Sequence, residues 1–129
     1  MIDFEHKVHI LTNTIRQQHG LASLIWSEEL ARAARTHSRD LATSNTFSHT
    51  GTDSTTPEQR VQATGKTMRF LGENICGGRN SPEAAIMDWM NSPGHRVNIL
   101  NPDAVYLGVG FAYSENSRYR FYVTQVFGK

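Results

Sequence analysis

Apolar residues recur along this chain with two periods, and the change from one to the other separates helices from strands. Over residues 3–19, Phe4, Val8, Leu11 and Ile15 fall at spacings of four, three and four, which lines one face of a helix. Asp3 stands where a side chain can cap the free N–H groups, and Gly20 can end the helix in a left-handed conformation. After 21–26, Ser27 marks a second helix start, with Glu28 and Glu29 in the turn where carboxylates suit the dipole. Leu30, Ala33, Ala34, His37 and Leu41 form its inward stripe, and the alanines imply close packing. Thr56-Pro57-Glu58 opens a short helix that Gly65 ends. Ser81-Pro82-Glu83 opens another through Met90, with Ala85, Ile86, Trp89 and Met90 inward, and Trp26 and Trp89 are both expected in the core.

The strands follow a shorter period. Residues 69–77 read as a strand running into the Gly77-Gly78 turn. Residues 106–113 and 119–127 alternate around the polar stretch 114–118, which predicts an antiparallel hairpin. Gly108 and Gly110 share one face of their strand, so a bulky element is expected to approach it closely. Helices at both ends of the strand set, with a terminal antiparallel hairpin, predict an α+β or a layered α/β/α domain.

Composition narrows the function classes. The 129 residues suit one domain, 1–129, able to bury about two-thirds of its unfolded surface. The net charge is +1 and the 13 basic residues are scattered, so neither nucleic acid nor an anionic membrane surface is indicated. No run of about 18 apolar residues spans a membrane. The one cysteine, Cys76, has no internal disulfide partner. The opening Met-Ile-Asp-Phe-Glu lacks a basic-then-apolar leader, so the expectation is a cytosolic protein or one whose leader has been removed.

Three short polar stretches carry the candidate chemistry: Phe47-Ser48-His49-Thr50-Gly51, Leu71-Gly72-Glu73-Asn74-Ile75, and Asn91-Ser92-Pro93-Gly94-His95 running on to Leu100. The last opens a helix at Ser92-Pro93 that Asn101-Pro102 stops, which puts His95 in the first turn, where the dipole disfavours its protonation. The first lies in a polar loop, 45–56, of a length that is often functional. A carboxylate inside a strand needs a partner, and for Glu73 a histidine is the natural one, since it would also fix the ring's tautomer. The three stretches are expected to meet in one cavity. Cys76 is three residues from Glu73, on the opposite strand face, and reads as a small buried hydrophobe rather than a nucleophile. Ser48 and Ser92 lie near histidines, but serines are common in turns and caps, and no oxyanion hole is identified for either. No Gly-x-Ser-x-Gly or His-Glu-x-x-His motif is present.

Taken together, these pieces resemble the CAP superfamily (cysteine-rich secretory proteins, antigen 5, pathogenesis-related 1), also called the SCP domain, in its short prokaryotic form. The resemblance rests on Arg16-Gln-Gln-His-Gly-Leu21, Leu24-Ile-Trp26, Phe47-Ser-His49, Gly72-Glu-Asn74, Trp89, Ser92-Pro-Gly-His-Arg-Val-Asn-Ile-Leu100 and Gly108-Val-Gly110, in order and over nearly the whole chain. It implies an α-β-α sandwich whose cavity holds two histidines and two acids. His49, Glu73 and His95 match three of these. Ser92 stands in the place of the fourth, with Asp88 just before Trp89. The family's cysteines and its Cys-Asn-Tyr motif are absent.

The resemblance implies a secreted or envelope-associated binding protein with a ligand cavity of His49, Glu73, His95, Ser92 and Asn74. Its partner would be a small molecule, a lipid or another protein, and the chain is expected to be a monomer. No cofactor is required; His49 and His95 are a pair that zinc accepts when supplied. The alternatives are a peptide or ester hydrolase, with His49 or His95 as general base oriented by Glu73, and a purely structural interaction domain.

Overall fold

The computed structural model describes residues 3–129; Met1 and Ile2 of the opening stretch lie outside them. In order, the elements are α1 (Phe4–Gln18), β1 (Ile25–Trp26), α2 (Glu28–Ser44), α3 (Pro57–Gln62), β2 (Phe70–Gly77), α4 (Pro82–Met90), α5 (Pro93–Ile99), β3 (Tyr106–Tyr113) and β4 (Phe121–Gly128). The cap residues act largely as their types dictate. Asp3, Ser27, Thr56 and Ser81 each accept a backbone N–H of the first turn, and Thr56 completes a capping box with Gln59. The four strands form one sheet in the order β1-β3-β4-β2. The β1–β3 pairing is parallel; β3–β4 and β4–β2 are antiparallel. No described helix is long and apolar enough to cross a membrane.

The sheet separates two helical layers, giving the α+β sandwich. On one face α2 packs Leu30, Ala33 and Ala34 against Val126 and Val61, and Leu41 and Ala42 against Ile75 and Tyr122. The other face carries the larger core: Val8, Ala85, Ile86, Trp89 and Ile99 close over Cys76, Leu107, Val109, Val123 and Phe127. The bulky element opposite the two glycines is the α2 backbone itself. A Cβ on Gly108 would lie 2.1 Å from the Ala31 nitrogen, and one on Gly110 2.2 Å from that of Arg35. Two expectations shift. The last strand begins at Phe121 rather than Tyr119, because Arg120 adopts a left-handed φ of 65° and its carbonyl accepts the Ser114 N–H, closing a longer turn. Trp26 is only partly buried: it stacks on His6 at 4.4 Å and its ring N–H donates to Glu28, while Trp89 is 1% exposed in the core.

Candidate functional site around Glu73

Glu73 lies on β2, the last strand of the sheet order, with one side unpaired. Its side chain sits on the α2 face with Ile75, and Asn74 and Cys76 point into the opposite layer. The carboxylate is 2% exposed and fully engaged. His49 Nδ1–H donates to Oε1 at 2.9 Å, and an Arg60 Nη donates to Oε2 at 2.9 Å. A third basic side chain stands near: His37 of α2, 0% exposed, has its Nε2 at 3.9 Å from Oε1. That same Nε2–H donates to the Ser48 carbonyl at 2.7 Å. Burial holds the His37 imidazole below its usual range, with Glu73 opposing and Arg60 reinforcing. Its Nδ1 and the Arg60 Nε are the two buried side-chain nitrogens with no partner among the described residues.

The loop 45–56 is pinned from several sides. Arg60 donates to the carbonyls of His49 and Thr55, at 2.9 and 3.0 Å. Asp40 accepts both the N–H and the hydroxyl of Thr52, and Asp53 does the same for Thr55. Phe47 packs edge-on against Tyr119 over Gly77. The result is a His49 ring held on its Nδ1 side with a side chain still 51% exposed, so Nε2 is left to solvent.

His95 comes from the other layer. Its backbone carbonyl accepts from Asn74 Nδ2 at 3.1 Å, and its Nδ1 shares a 2.8 Å hydrogen bond with Ser92 Oγ. Ser92 occupies the N-cap position of α5, yet its side chain makes no cap bond; the histidine takes it instead. Burial disfavours protonation of His95, the His49 charge adds to this, and Asp88 opposes it. The depression expected from the helix dipole thus comes first from burial, in keeping with a helix of only seven residues. Asn74 is completely buried. Its amide bridges His95 and Gln125, and its carbonyl accepts from Asn98, so it supports the His95 backbone from beneath. Asp88 is bound to Arg79 at 2.6 Å and lies 3.7 Å from Cys76 Sγ. Burial, then Asp88, pushes the Cys76 thiol up to about 12, which makes it inert as a nucleophile.

The structure therefore joins His49 directly to Glu73 and Ser92 to His95, and sets the two pairs on either side of the β2 edge. Arg60 and His37 complete the Glu73 pair without having been singled out in the sequence. Arg60 reads as an ordinary helix-surface arginine. His37 did carry a signal, as the one titratable group on an otherwise apolar stripe. Among the described residues, no group of three or more His, Cys, Asp or Glu side chains is placed to hold a metal ion.

Two helical layers around a mixed sheet are the architecture that the resemblance implied. The model of the cysteine-rich secretory protein family, CAP, matches residues 9–127, and the chain belongs to that family. It is 40% identical over 111 residues to the uncharacterized protein YkwD of Bacillus subtilis, an alignment covering 86% of this chain and 43% of that one. An extracellular protein containing an SCP domain from Bacillus anthracis superposes with a TM-score of 0.85 at 34% identity, over 97% of this chain and 40% of that one. An outer surface protein of Borrelia burgdorferi shares the fold, with a TM-score of 0.87 at 22% identity over 99% and 96% of the two chains. The chain thus spans about two-fifths of the two Bacillus relatives.

Proposed function

We propose that this is a ligand-binding CAP domain working outside the cytoplasm, with the His49–His95 pair as a two-ligand site for a divalent metal such as zinc. The carrying observation is the state of the two rings. Each has its Nδ1 occupied, His49 by Glu73 and His95 by Ser92, leaving both Nε2 atoms for a ligand. A carboxylate behind a ligating imidazole is a common arrangement in zinc sites. The donor set fits an exchangeable site with water in the remaining positions. It does not fit a closed structural zinc site, which takes four protein ligands. Glu73 is already shared between His49 and Arg60, so it supports the ring rather than joining the ligands. The extracellular location is supported by the Bacillus anthracis relative. A small apolar or lipid ligand is supported by a largely apolar groove of 340 Å³ along α1 and α4, lined by Leu11, Ile15, Ile86, Met87 and Met90 with Thr14, Gln18 and Glu83, and by none of the five residues of the expected ligand cavity.

Hydrolysis is the second reading, favoured by one contact: the Ser92 hydroxyl lies within hydrogen-bond reach of His95. Among the described residues no carboxylate hydrogen-bonds that ring in turn, so a triad is incomplete, and binding leads. Calorimetry with zinc on chelator-treated protein tests the binding reading. We expect weak binding in the wild type, loss of it in His49→Ala and in His95→Ala, and no unfolding on chelation. No binding to the wild type would overturn the reading.

A further inference from the structure

Arg60 spends its donors in a way a surface arginine does not. Its side chain is 5% exposed, and one guanidinium contacts three different parts of the site: the Glu73 carboxylate, the His49 carbonyl and the Thr55 carbonyl. Those contacts tie β2 to both the start and the end of the 49–55 stretch. A buried carboxylate with a neutral imidazole as its one partner would have its charge uncompensated. It could also rotate, because a single hydrogen bond to Oε1 leaves Oε2 unheld. The planar fork removes both freedoms: it supplies the charge and fixes the carboxylate's orientation.

That orientation decides which nitrogen His49 shows to solvent. A carboxylate oxygen only accepts, so with Oε1 facing the ring at 2.9 Å the proton must sit on Nδ1. The free lone pair of the neutral ring is then on Nε2. From this geometry we infer that Arg60 is a positioning residue of the site: by orienting Glu73 and anchoring the loop, it holds His49 with Nδ1–H inward and Nε2 outward. The consequence for metal affinity rests on the binding reading above; the selection of the tautomer does not.

The test is the side-chain ¹H–¹⁵N spectrum of histidine-labelled protein at alkaline pH, which distinguishes the two neutral tautomers, run alongside zinc calorimetry. The wild type should show His49 as Nδ1–H. Arg60→Met should populate both tautomers and weaken zinc binding by about tenfold, the lower end of the loss typical of outer-layer partners. Arg60→Lys keeps the charge without the fork and should leave the tautomers mixed. In a Glu73→Gln background the tautomer effect should reverse: Arg60 only donates, so it holds the amide oxygen and turns the amide N–H toward Nδ1, favouring Nε2–H, and Arg60→Met should restore part of the Nδ1–H form. The inference is overturned by an unchanged Nδ1–H signal in Arg60→Met, by full rescue with lysine, or by an equal effect in the Glu73→Gln background. If Arg60→Met does not fold, Arg60→Lys and Glu73→Gln decide by the same spectrum: the first should show mixed tautomers and the second, with its amide N–H turned toward Nδ1 by Arg60, should favour Nε2–H; a pure Nδ1–H signal in either refutes it. A wild type that binds no zinc, together with the expected tautomers in both the wild type and Arg60→Met, removes the metal reading and upholds the role of Arg60.

Discussion

Replacing Gly110 with alanine probes the contact on which the α2 layer depends. The added methyl would stand 2.2 Å from the Arg35 nitrogen and 2.3 Å from the Ala34 carbonyl carbon, where ordinary contact begins near 3.4 Å. Neither atom can rotate away, since both belong to a helix backbone. The helix must therefore retreat by about 1 Å, and a gap of that size forfeits a quarter to a half of each dispersion contact along it. Leu30, Ala34 and Leu41 would lose packing together, and the Ser38 hydroxyl would be drawn off the Gly110 carbonyl it donates to at 2.8 Å. Overpacking of a core typically costs 1–3 kcal/mol, and with backbone on both sides the expected loss is about 3 kcal/mol or more. For a domain of this size that is roughly 10 °C in Tm by calorimetry. Two control glycines separate this from a generic glycine effect. Gly94, in the α5 helix with nothing within 4 Å of its added methyl, should gain up to about 1 kcal/mol as alanine. Gly20, equally open but at φ +74°, should lose about 1 kcal/mol from its backbone alone. A Gly110→Ala melt no lower than that of Gly20→Ala would refute the close-approach argument.

Further predictions address the core and the site. Trp89→Ala removes the largest fully buried side chain, together with its 3.0 Å hydrogen bond to the Ile75 carbonyl, and should cost about 3–5 kcal/mol. His49→Ala, on a half-exposed ring whose partner Glu73 keeps Arg60, should cost about 1 kcal/mol; equal melt losses for the two would make His49 a structural residue. Acid should weaken the fold through His37, which meets Glu73, Arg60 and Asp40 and is held by burial below the 6.5 of a free imidazole. The unfolded chain then binds this proton first, so the stabilisation is complete above pH 6.5 and is lost as pH falls through the lower folded value. Denaturant titrations between about pH 7 and 5.5 should show a shallower slope in His37→Gln, and an unchanged slope would contradict the assignment.

Where the chain's own local rules decide the outcome, the sequence was legible. Serine or threonine before proline located α3 and α4 to within a residue at their starts, and at α4 an apolar stripe agrees with the cap. The strand β1 escaped such reading. It is two residues long and exists through its parallel pairing with β3, some 80 positions away, so no periodicity announces it. The loop 45–56 was also misleading in one respect. Its composition is that of mobile surface, yet Gly51 is buried and Asp40, His37 and Arg60 bind the segment from beneath. Those anchors lie on two helices, and nothing within the loop encodes them.

The site follows from the position of β2 in the sheet. Along a strand, successive side chains point to opposite faces, so Glu73 belongs to the α2 layer and Asn74 to the layer of α5. In a central strand those two layers would be sealed from each other, and a histidine from each could not approach. At the edge, no further strand intervenes. The loop after α2 brings His49 to one side, and α5 brings His95 to the other. The exposed edge is covered by Asn98, whose amide reaches toward the Glu73 carbonyl and donates to Asn74 at 2.8 Å. Gly72 leaves room for it, since an added Cβ there would lie 2.5 Å from the Asn98 side-chain oxygen. The three polar stretches come together at β2, where His49 bonds Glu73 and Asn74 bonds the His95 carbonyl. That they meet depends on the strand earliest in sequence of the three long ones taking the outer place in the order β1-β3-β4-β2, a non-local choice that the periodicity of β2 alone does not express.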